Sequence, residues 1–135
     1  MGLFEILFEK FNPGGIGKIE KFSNKPKETN IIILLLKLII SILIIWFLFH
    51  ITIRYKTNAE NIIKFIIILF IYCLISYMIV PKPDYSNIGW FGGLINNPFR
   101  FSDNLNRMLI FLMFLLYPGR FIAITFVQTF HLFKH

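Results

Sequence analysis

With 135 residues, 56% of them hydrophobic and only 16% charged, the chain lacks the polar surface to coat a separate soluble domain, so one membrane domain is expected. Its net charge of +7 comes from basic residues that flank apolar runs instead of gathering on one polar face, which argues against nucleic acid as a partner and for anionic lipid headgroups. The single cysteine, Cys73, lies inside an apolar run, so a disulfide framework or a Cys-based metal centre within one chain is excluded.

In chain order, Leu3, Phe4, Leu7, Phe8 and Phe11 recur on one helical face with Glu5, Glu9 and Asn12 on the other, predicting a short N-terminal amphipathic helix. Glu5 and Glu9 also interrupt the apolar stretch that a signal peptide would need, so the segment is expected to be retained. Asn12, Pro13, Gly14 and Gly15 stop the helix. A polar stretch with Lys18, Lys21, Lys25 and Lys27 then reads as a solvated juxtamembrane linker, so that residues 1–30 form an amphipathic helix plus basic linker and 31–135 the membrane domain.

The run Ile31 to Ile53 spans about 35 Å as a helix and Ile62 to Val80 about 29 Å, against a hydrocarbon core of about 30 Å, so each is expected to cross the bilayer. Lys37, within the first, would cost about 2.5 to 3.5 kcal/mol at the bilayer centre, against about 0.3 to 0.6 gained per Ile, Leu or Phe. The apolar majority outweighs it, and the lysine stem is expected to carry the ammonium to the nearer interface. Trp46, Phe47, Phe49 and His50 mark the opposite interface, and the short polar connection from Arg54 to Asn61 ties the first two spans into a hairpin.

Pro81, Lys82 and Pro83 are expected to end the second span and open an interfacial loop over residues 81–104. Its core of Trp90, Phe91, Gly92 and Gly93, followed by Pro98, Phe99 and Arg100, suits neither a regular helix nor a solvated linker and reads as a surface for lipid or a partner protein. Ser102 or Asp103 is expected to cap a last helix from Leu105, spanning residues 105–133 with a break at Pro118, Gly119 and Arg120. Read as one kinked span, it places Arg120 near mid-bilayer, where a guanidinium keeps its charge and needs carbonyls, phosphate or a carboxylate beside it.

The fold expected is therefore all-α: a small polytopic membrane protein of about three transmembrane helices plus the N-terminal amphipathic helix. All seven acidic residues lie outside the apolar runs, so Lys37 and Arg120, if buried, are expected to have no partner in their own chain, and a self-sufficient proton or cation transporter is disfavoured. No Ser/His/Asp set, metal-binding cluster or phosphate-cradling loop can be assembled, so neither enzyme activity nor a cofactor is expected. The reading that follows is a non-catalytic accessory subunit of a larger membrane complex, contacting other integral subunits and anionic lipids through Lys37, Arg120 and the Trp90 to Arg100 stretch. One alternative is a small haem- or quinone-associated redox protein, with His50 and His131 on the same side of the membrane as axial ligands. Another is a self-associating anion channel or carrier lined by Arg120. Ile, Lys, Asn and Phe richness fits an AT-rich genome, hence a bacterial cytoplasmic membrane or else an organellar inner membrane. Leaving out Lys37 and Arg120, basic residues number eight on the N-terminal side and four on the other, which favours a cytoplasmic N-terminus.

Overall fold

A computed structural model describes residues 7, 10, 11, 14–22, 30–54, 57–85 and 101–134. The elements in order are β1 (Lys18–Lys21), α1 (Ile31–Ile53), α2 (Ala59–Met78), β2 (Ile79–Lys82) and α3 (Phe101–Lys134). The protein is predominantly helical, and all three helices are long and apolar enough to cross a membrane. The N-terminal amphipathic helix is not among these elements, since most of its residues lie outside the described ones.

The chain divides into two compact units, Met1–Lys21 with Ile79–Leu115 and Phe22–Met78 with Leu116–His135. In the first, β1 and β2 pair antiparallel with Lys18 opposite Lys82, Ile19 opposite Pro81, Glu20 opposite Val80 and Lys21 opposite Ile79. This corrects two expectations: Lys18–Lys21 is a strand and not free linker, and α2 ends at Met78, short of Val80. The cause of the early stop is Pro81, whose ring disfavours helical geometry at Val80, leaving Ile79–Lys82 extended and able to pair. The last helix likewise opens earlier than expected, at Phe101, so Ser102 and Asp103 lie in its first turn, both buried, with the Asp103 carboxylate at the positive end of the helix dipole.

In the second unit, Asn30 caps α1: its side chain accepts from the Ile32 amide at 3.4 Å and its carbonyl from the Leu34 amide at 2.9 Å. The isoleucine-rich run that follows has modest intrinsic helix propensity, but in lipid only a helix satisfies each backbone group within its own segment. Helix α2 opens with Ala59, Glu60 and Asn61 ahead of its apolar run, and Glu60 accepts from Lys64 one turn on at 2.6 Å. The two helices meet where the Phe49 and Phe65 rings pack edge to face, centroids 5.3 Å apart. Helix α3 runs unbroken through Pro118, Gly119 and Arg120.

The most buried side chains of this helical unit are Ser41 and Ser76, with Thr125 and Ile122 close behind, and Gly119 is buried too. Ser41 Oγ donates to the Lys37 carbonyl at 2.8 Å and Thr125 Oγ1 to the Phe121 carbonyl at 2.7 Å, so these hydroxyls are satisfied by their own helices while keeping helix surfaces slim enough for close packing. Large apolar side chains face outward along all three helices, as a lipid-embedded protein requires.

Candidate functional site

Two polar constellations stand out, one in each unit. In the helical unit, Pro118 has no amide proton and Gly119 follows it. The Gly119 amide donates to Tyr72 Oη at 3.2 Å, and Arg120 Nε donates to the Ser76 carbonyl at 3.1 Å. Ser76 belongs to the last turn of α2, where carbonyls lack intrahelical donors, so Arg120 serves as a C-terminal cap supplied from another helix. The Phe22 amide does the same for Met78, donating to its carbonyl at 3.0 Å, and the Phe22 ring rests against Tyr77 with centroids 5.1 Å apart. Only glycine fits at 119, because a Cβ there would lie 2.4 Å from Ser76 Oγ and 2.6 Å from Tyr72 Cε1.

Lys37, half-buried on α1, donates from Nζ to Gln128 Oε1 of α3 at 3.3 Å. The expectation that Lys37 and Arg120 find no partner in their own chain therefore needs correction: each meets a neutral oxygen of a neighbouring helix. For Lys37, the ammonium is held across the bundle by a side chain of another span instead of being left to seek the interface alone. For Arg120, engagement with a helix end gives the guanidinium a structural duty.

In the strand-bearing unit the centre is Asn106, fully buried on α3. Its Oδ1 accepts from the Gly17 amide at 2.8 Å and the Asp84 amide at 3.2 Å, and its Nδ2 donates to the Gly15 carbonyl at 2.8 Å. One amide side chain thereby ties the segment before β1, the segment after β2 and α3. Gly17 permits this, since a Cβ there would stand 2.3 Å from the Lys82 carbonyl oxygen and 2.6 Å from Pro83 Cα. Across the strands, Lys82 donates to Glu20 at 2.5 Å and Lys18 lies 3.5 Å from it. The hydrogen bond from Lys82 holds the Glu20 carboxyl below the usual glutamate range, with Lys18 adding to the effect and partial desolvation opposing it.

Of the other residues singled out from the sequence, His50 stacks on Trp46, ring centroids 5.6 Å apart and 11° from parallel, near the end of α1. His131 is exposed in the last turn of α3. Trp90, Phe91, Gly92, Gly93, Pro98, Phe99 and Arg100 lie outside the described residues. Among the described residues, no group of three or more His, Cys, Asp or Glu side chains is placed to hold a metal ion. Sequence reasoning missed Asn106 altogether. The available signal was an asparagine beside apolar residues in a helix opening, together with closely spaced glycines at 14, 15 and 17.

Set against models of protein families, against curated proteins and against solved structures, the chain matches none.

Proposed function

We propose that this chain is a non-catalytic accessory subunit of a larger membrane protein complex of the energy-transducing, transport or secretion kind, packed against other integral subunits and anionic lipid. The observation that supports this reading is α2, in which Ser76 alone is buried while Ile66 and Phe70 are 57% and 69% exposed. So exposed an apolar surface suits lipid or the helices of other subunits. Arg120, Thr125 and Ser41 meanwhile donate to backbone carbonyls of this chain's own helices and Tyr72 Oη accepts from the Gly119 amide, an economy suited to holding a shape. Purification from the native membrane in mild detergent, followed by native mass spectrometry, is the test: a stable heteromeric assembly is expected, and a lone monomer overturns the proposal.

The seat we propose is a bacterial cytoplasmic membrane, N-terminus inside. Two crossings between Lys21 and Ile79 would return the chain to the side it left, which agrees with the pairing of β1 with β2, and the basic-residue excess supports a cytoplasmic assignment for that side. A reporter fused after β2 is expected to be active in the cytoplasm and silent outside.

A further inference from the structure

We infer that Lys37 is the docking point of the assembly, and that the partner presents a carboxylate from one of its own transmembrane helices at matching depth; this rests on the accessory-subunit reading. Lys37 lies six residues into α1, about 9 Å along its axis and so within the hydrocarbon layer. Its ammonium has three donors, of which one reaches Gln128 Oε1. That oxygen is neutral: it fixes where the charge sits and leaves the charge uncompensated. The ion pairs among the described residues use Glu20 and Glu60, both outside the apolar runs, and none involves Lys37.

The surroundings favour a protein carboxylate over a lipid phosphate. On α1, Leu34 and Ser41 flank Lys37 on its buried side, and on α3 Thr125 lies one turn before Gln128, so the lysine is retained among packed helices while phosphates stay in the headgroup layer. On its open side Ile33 and Ile40, one turn to either side, are 48% and 47% exposed and form an apolar rim. A helix with an aspartate or glutamate at that level would bury the rim and neutralise the ammonium in one contact, and this chain's apolar runs carry no carboxylate to compete for it.

The test compares native-membrane purifications of the wild type, Lys37→Met, Lys37→Arg and Gln128→Leu. Lys37→Met should fold at least as well as the wild type, because it removes a charge from a span, and should capture the partner about thirtyfold less or worse, whereas Lys37→Arg retains it. Neutralising the partner's intramembrane carboxylate should release it equally while leaving this chain intact, and exchanging the charges between Lys37→Asp and a lysine in the partner should restore capture. Gln128→Leu should retain the partner more weakly. If the wild type is a monomer, both this inference and the proposed function fall. If the wild-type complex exists and Lys37→Met keeps it whole, the docking point fails while the accessory role stands. A partner without an intramembrane carboxylate, released together with an anionic phospholipid, overturns the carboxylate assignment.

Discussion

In the strand-bearing unit one buried amide, that of Asn106, satisfies three backbone groups on two segments distant in sequence, whereas in the helical unit the buried polar positions are small hydroxylated residues that let helices approach, and two half-buried cations reach neutral oxygens. The difference follows from the solvent each kind of contact must exclude. Irregular backbone near water needs dedicated partners for its amides and carbonyls. Helices in lipid arrive with theirs satisfied and gain by close contact.

The sharpest way to break the contrast is Asn106→Leu. It leaves the Gly17 and Asp84 amides and the Gly15 carbonyl without that partner, at about 1 to 3 kcal/mol for each fully buried group and less where water enters, so a loss of about 3 kcal/mol is expected. Hydrogen exchange should report it in the amides of residues 15–21 and 79–84 ahead of the helical unit. Gly119→Leu is expected to do the converse, overpacking against Tyr72 and Ser76 at about 2 kcal/mol and lowering the thermal midpoint of the helices in detergent, with strand protection kept. Smallest is the effect of acid. Because Glu20 is held below its ordinary value of 4.5, its contribution to strand pairing is complete above that value and is lost as pH falls through the lowered one. Exchange at Glu20 and Val80 should therefore accelerate only in the acid range, and Glu20→Gln should abolish the dependence. For a surface-exposed pair the gain is small.

The helices were legible because a long apolar run is a local signal: α1 coincides with the run Ile31 to Ile53, and α3 carries its proline without breaking, as a packed membrane helix tolerates. The strands were not. Lys18–Lys21 reads Lys, Ile, Glu, Lys, too short and too charged for a period of two to register, and its partner lies beyond two spans. Arg120 and Lys37 were visible as anomalies, but the oxygens they meet, a Ser76 carbonyl and a Gln128 amide, belong to residues that no periodicity marks. Asn106 went unseen because an asparagine near a helix start is common, and only its burial distinguishes it.

Pairing of β1 with β2 also bears on how the protein is made. Fifty-seven residues lie between Lys21 and Ile79, so at about 5 to 20 residues per second the first strand waits on the order of 3 to 12 s after its synthesis for the second to be made. Because α1 and α2 lie between the two strands in sequence, the ladder can close only after both helices have been synthesised.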